Sequence, residues 1–270
     1  MALPEYYSSL APFEEAFMTG QPILTYHHVG PRPRGARIKG LYVSPKLFAR
    51  QMSELKAVGF STPPFARVMD GGANATRQVF LTFDDGFRDV FEHGLPALQA
   101  QGFRAVLFLV ADLIGRTNEW RQPTGDLVEP LMDESQVRDW LAAGHEIGSH
   151  TLTHPRLTQT PLAEAREQII ASKKKLEDVF DVAIQHFCYP YGDWNAPVRD
   201  LVREACYRTA CTTDFGVNNS ATPPLALKRF MARYASFRRG HLRWWLLAAW
   251  RRLRLLPPNW SRAPGNGSSR

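Results

Sequence analysis

The chain is poor in cysteine and has no long apolar run. Cys188, Cys206 and Cys211 are its only cysteines in 270 residues, too few for a disulfide scaffold and in keeping with thiols that stay reduced. No stretch reaches the ~18 apolar residues of a membrane-spanning helix, and the longest fully apolar run near the end covers only residues 244–250. Residues 1–20 hold Glu5, Glu14 and Glu15 but no Lys or Arg and no apolar core, so a signal peptide is not expected. The expected compartment is the cytoplasm, with a place at its membrane face left open. Acidic residues are missing from residue 215 onward, where eleven Lys and Arg stand alone. No fixed-period repeat occurs, and no low-complexity stretch precedes residues 263–270, which excludes solenoid architectures.

What is present is ordinary for a folded enzyme-sized domain: 44% hydrophobic and 22% charged residues. The net charge of +7 first suggests a nucleic-acid partner. Its distribution argues otherwise. Residues 215–270 carry +11, so residues 1–214 hold 22 basic against 26 acidic residues, a net of −4. A nucleic acid is not expected to bind an acidic body.

Strand-like and helix-like runs alternate. Short apolar strands are predicted at residues 22–26, 79–83, 104–110, 145–148, 184–189 and 208–211, with helices at 45–59, 95–101, 133–143, 161–180 and 196–205. That order implies a parallel sheet and an α/β class. Polar and aromatic residues fall where the strands stop, at His27-His28, Asp84-Asp85, His150 and Tyr189-Pro190-Tyr191-Gly192. In parallel α/β folds chemistry sits at those carboxyl ends.

His150 and His154 lie four apart, a spacing that lets two imidazoles face one divalent ion if the segment is helical or tightly turned. The plain alternative is a surface turn before Pro155. Asp84 and Asp85, followed by Gly86, could form an ordinary β-turn. They could equally divide two tasks, one carboxylate ligating a metal while its neighbour serves as a base.

Taken together, Leu81-Thr82-Phe83-Asp84-Asp85-Gly86, Ser149-His150-Thr151-Leu152-Thr153-His154 and Phe187-Cys188-Tyr189-Pro190-Tyr191-Gly192 resemble, in order, three motifs of the polysaccharide deacetylases of the NodB-homology type. The resemblance covers roughly residues 20–235. It implies a single-domain deformed (β/α) barrel of seven or eight strands and metal-dependent removal of an N-acetyl group from a sugar. It also implies that Asp85, His150 and His154 hold a divalent ion, most simply Zn²⁺, and that Asp84 is the general base. The backbone N–H of Tyr191 would steady the tetrahedral oxyanion. Two departures stand out. Cys188 occupies the place where the family usually has an arginine, and the late Leu-x-His motif is missing. Ile23-Leu24-Thr25-Tyr26-His27-His28-Val29 resembles the first motif of a subgroup whose acid histidine lies on the first strand, which makes His27 the expected acid and His28 its rival. Arg229 then becomes the candidate to replace the missing arginine. Tyr189, Pro190, Tyr191, Trp120 and Arg229 are the expected substrate-binding set. For Trp120 and Trp194, stacking on sugar rings and simple loop packing both remain open.

Residues 239–270 read as a basic amphipathic helix and tail following an N-terminal segment (1–20) and a catalytic barrel (21–238). Leu242, Trp245, Leu246, Ala249, Leu253 and Leu256 would share a face, with Arg243, Arg251 and Arg254 spread around the rest. Such a helix suits peripheral membrane contact through residues 240–256, or packing back on the barrel. The expected activity is removal of an N-acetyl group from an N-acetylhexosamine in a glycan or glycolipid precursor. The rivals are a non-catalytic glycan-binding relative and a hydrolase of a cyclic or non-sugar amide.

Overall fold

The computed structural model describes residues 3–70 and 77–233. Its strands, in chain order, are β1 (Ile23–Tyr26), β2 (His28–Val29), β3 (Tyr42–Val43), β4 (Phe80–Phe83), β5 (Val106–Leu109), β6 (Glu146–Ser149), β7 (His186–Cys188), β8 (Thr209–Cys211) and β9 (Phe230–Met231). The α-helices are α1 (Glu14–Phe17), α2 (Pro45–Ala57), α3 (Leu95–Gln101), α4 (Glu134–Ala142), α5 (Leu162–Phe180) and α6 (Ala196–Glu204). Local chemistry sets several boundaries. Ser44 caps α2 ahead of Pro45, and Asp133 and Gln136 form a reciprocal capping box at the start of α4. Gly102, at φ 65°, ends α3 in the left-handed region.

Seven strands form one parallel sheet in the order β8-β7-β6-β5-β4-β1-β9. The seam between its ends is spanned by the chain itself. Leu227 bridges to Cys211 beside β8, and three residues later β9 pairs with β1. Arg229 therefore lies on the segment that crosses this seam.

Alternation along the strands sorts the side chains into two apolar layers. Ile23, Phe80, Val106, Phe108, Cys188 and Cys211 fill the inside of the barrel with Phe65 and Leu227. Their neighbours Leu24, Leu81, Phe83, Leu107, Ile147 and Phe187 face the helices in the larger outer core. Gly148 makes the inside fit, because a Cβ there would sit 2.6 Å from the Phe108 ring. Residues 3–20 share the outer core: Phe13 and Phe17 pack on Phe230 at ring separations of 5.6 and 5.1 Å. Residues 239–270, and with them the basic amphipathic segment, lie outside the described residues.

Candidate active site

The site is built at the carboxyl ends of β1, β4, β6 and β7. Asp84 and Asp85 follow β4 directly, and Asp85 takes φ 76°, which turns its carboxylate away from the strand direction. Gly86, at φ 83°, continues that turn where a side chain would be strained. His150 follows β6, its backbone N–H donating to the Leu109 carbonyl at 2.8 Å. Residues 150–154 form an irregular turn, not a helix, with Thr151 at φ 70° and His154 at φ 66°. The Thr151 hydroxyl accepts from the His154 N–H at 2.9 Å. Gln168, from α5, accepts the N–H groups of both Leu152 and Thr153 at 3.1 Å through Oε1. Asp85, Thr151, His154 and Tyr191 all hold positive φ without being glycine, and backbone strain gathered at one place marks a preorganised site.

That turn brings His150 Nε2 and His154 Nε2 each to 3.3 Å from the same oxygen, Asp85 Oδ1. All three residues are buried, and their ligand atoms lie within 4.8 Å of one another. Asp85 Oδ1 makes no hydrogen bond despite its burial. His150 Nδ1 lies 2.8 Å from the Cys188 carbonyl oxygen. A carbonyl only accepts, so Nδ1 carries a proton in either charge state of the ring, and Nε2 is the nitrogen left to ligate a metal ion. Two imidazoles and a carboxylate converging in this way fit a zinc-like divalent ion with an open position. Burial works to raise the Asp85 carboxyl, but His150 and His154 outweigh it and hold it well below the usual carboxylate range.

Asp84 does different work. Arg229 grips it in a two-pronged pair, Nη1 to Oδ1 and Nη2 to Oδ2, both at 2.8 Å. Burial pushes Asp84 up, and the guanidinium more than offsets this, so Asp84 is ionised at neutral pH. The remaining donors of Arg229 go to Thr82 Oγ1 (3.2 Å), the Thr212 carbonyl (2.8 Å) and Cys188 Sγ (3.3 Å). All five N–H groups of the guanidinium are thus engaged within the protein. The expectation that Arg229 binds substrate is corrected here: it is buried and its guanidinium grips Asp84. Cys188 is small enough to share the space. Burial raises its thiol to about 11, so it is neither nucleophile nor anion at neutral pH.

Strand parity separates the two histidines. His27 continues the inward series Ile23 and Thr25, and its Nε2 lies 3.9 Å from Asp84 Oδ2. His28 points the other way, stacked between Tyr42 and Phe87 with ring separations of 4.1 and 3.6 Å. Its Nδ1 meets Asp89 at 2.9 Å and its Nε2 meets Glu129 at 3.3 Å, so it ties loops together outside the site. Burial lowers the His27 pKa to about 4 against the pull of Asp84 and Asp85.

The same parity corrects Tyr189. It faces outward like Phe187, is fully buried, and donates its hydroxyl to the Leu225 carbonyl at 3.0 Å. Its side chain is core, and Pro190 is buried beside it. Tyr191 does reach the site, 44% exposed, with its ring edge-on to His154 at 4.5 Å. Trp120 stacks on His154 at 4.5 Å. Trp194 packs over Tyr189 at 6.0 Å. Gln168 and Arg121 carried no sequence motif. Arg121, buried on the segment after β5, spans Asp85 (3.8 Å) and Asp126 (3.6 Å).

Comparison with known proteins agrees with this geometry. The Bacillus subtilis protein YxkH is 26% identical over 212 residues, covering 77% of this chain and 70% of its own length. A chitooligosaccharide deacetylase of Bradyrhizobium is 27% identical over 130 residues, 47% of this chain and 52% of its own. The chain thus spans about half of that enzyme. The structure of a polysaccharide deacetylase from Bacillus cereus superposes with a TM-score of 0.68 at 26% identity, over 80% of this chain and 66% of that one. The profile of the polysaccharide deacetylase family matches residues 71–210, just over half of the chain. That span holds both aspartates, both ligand histidines and the Tyr191 turn, and the chain belongs to the polysaccharide deacetylase family of hydrolytic enzymes.

Proposed function

We propose that this protein removes N-acetyl groups from an N-acetylhexosamine within a glycan or glycolipid precursor, with a divalent metal at Asp85, His150 and His154. The observation that carries this reading is the division between the two adjacent carboxylates. Asp85 turns toward two imidazoles, while Asp84 is held ionised by Arg229 and faces His27. A divalent ion in that cluster, most simply Zn²⁺, would lower the pKa of a water molecule and polarise the acetyl carbonyl.

The chain's own groups move the proton. As water oxygen adds to the acetyl carbon, Asp84 accepts one water proton. The tetrahedral oxygen is steadied by the Tyr191 N–H. The C–N bond then breaks as His27 protonates the departing nitrogen, yielding a free amine and acetic acid. In the free site His27 is neutral at pH 7, since burial holds it near 4. The proton it delivers is therefore the one taken up by Asp84, passed across the 3.9 Å between them. Trp120 and Tyr191, flanking His154, are placed to stack on the sugar ring.

The test is metal analysis of the purified protein joined to acetate release from N-acetylglucosamine oligomers. Asp84→Asn is expected to lower turnover by roughly 10²–10⁴-fold, the usual worth of a general base, with bound metal unchanged. Equal acetate release by wild type and Asp84→Asn would remove Asp84 as the base.

A further inference from the structure

Beside the proposed metal centre, the rim carries a guanidinium without a counter-ion among the described residues. Arg156 is exposed, two residues past the ligand His154, and its Cζ sits 4.1 Å from the centre of the Tyr191 ring. That ring in turn rests edge-on against His154 at 4.5 Å. No carboxylate among the described residues lies within ion-pair distance of Arg156. The acid on the neighbouring loop, Asp193, is already committed: it accepts from the Thr158 hydroxyl at 2.8 Å and from the Thr158 N–H at 3.0 Å. Several other exposed arginines spend their donors within the protein: Arg50, Arg67, Arg116 and Arg166 on carboxylates, and Arg77, Arg138 and Arg208 on carbonyl or amide oxygens.

A guanidinium held over an aromatic ring by its cation–π attraction spends none of its N–H groups on that contact and keeps them for an acceptor. Two parallel N–H groups match the two oxygens of a carboxylate or phosphate. The Tyr191 ring touches both Arg156 and His154, which sets Arg156 beside the reacting position.

We propose that Arg156, stacked on Tyr191, is a substrate subsite for an oxyanion, selecting acetamido sugars that carry a carboxylate or phosphate on the same or the adjoining residue. This inference rests on the deacetylase reading above. Its test is the ratio of kcat/KM values for charged and neutral substrates. Three are compared: a neutral N-acetylglucosamine oligomer, an N-acetylglucosamine disaccharide with a carboxylate-bearing neighbour, and N-acetylglucosamine 1-phosphate. Wild type should favour at least one charged substrate by about tenfold, as expected for a charge-assisted bidentate contact. The two charged arms show whether carboxylate or phosphate is the group read. The preference should shrink with added salt, collapse in Arg156→Gln and survive in part in Arg156→Lys. A wild-type ratio near one, or a ratio unchanged in Arg156→Gln, overturns the proposal. Acetate release from the neutral oligomer reports on the deacetylase reading independently. Should no substrate turn over, titration calorimetry of the same three sugars against wild type and Arg156→Gln gives the same ratio as binding constants.

Discussion

At the scale of single residues, the site is decided by which hydrogen-bonding capacity is spent and which is left over. Arg229 spends all five donors on four partners that are themselves buried. Arg229→Ala leaves the Asp84 carboxylate uncompensated in the barrel and should lower the unfolding free energy by about 3–5 kcal/mol, read by chemical denaturation. Arg229→Lys keeps the charge without the fork, so it should recover part of that stability while activity stays depressed. His145 shows the opposite economy. Its Nδ1 accepts the Ala105 N–H at 3.2 Å and its ring stacks on Trp140 at 4.3 Å, so it folds neutral. Burial, aided by the charge of Arg104, lowers its pKa to about 4. The unfolded chain takes up this proton near pH 6.5 and the folded chain only near pH 4. Stability from this residue is therefore whole above pH 6.5 and lost as pH falls toward 4, by up to roughly 3 kcal/mol at 1.36 kcal/mol per unit. Thermal melts of wild type and His145→Phe across that window should converge as the pH drops.

At the scale of elements, strands deliver residues and turns aim them. The two ligand histidines are four apart in sequence, yet no helix joins them; Thr151, Gln168 and two left-handed residues shape the turn instead. Gln168 holds that turn from α5, donating its amide to the Thr153 hydroxyl at 3.0 Å as well as accepting two backbone N–H groups. Gln168→Leu orphans those groups while preserving volume. Zinc affinity, measured by competition with a chelator, should fall about 10–100-fold, as is usual when support behind metal ligands is removed. Unchanged affinity would show that the turn holds its shape unaided. Most strands and helices were legible because their apolar period is sustained over several residues. β9 was not, since two residues carry no period, although it sets where Arg229 enters. Leu162, the first residue of α5, is 55% exposed although it is apolar.

At the scale of the whole molecule, charge divides along the chain. The described residues hold 25 basic against 26 acidic side chains, a net of −1, and none of their helices is long and apolar enough to cross a membrane. The basic residues beyond 233 supply the excess, and the attraction of such segments to anionic lipid is worth about 1 kcal/mol per residue near the surface. Truncation after Arg239 is expected to abolish flotation with anionic vesicles while leaving acetate release from soluble oligomers intact. Binding that survives the truncation would assign membrane contact elsewhere.

The α/β class and most strands and helices were legible in the sequence from local period alone. The two aspartates, His150 and His154, and the candidacies of His27 and Arg229 were singled out by the resemblance of their motifs to a known family. Only the tertiary structure decided that His27 faces the barrel while His28 faces out, that Tyr189 is core while Tyr191 is rim, and that Arg229 spends itself on Asp84. Each of those outcomes depends on which face of a strand the barrel encloses. Alternation defines two faces but does not say which is inside; sheet closure, set by residues more than a hundred positions apart, makes that choice.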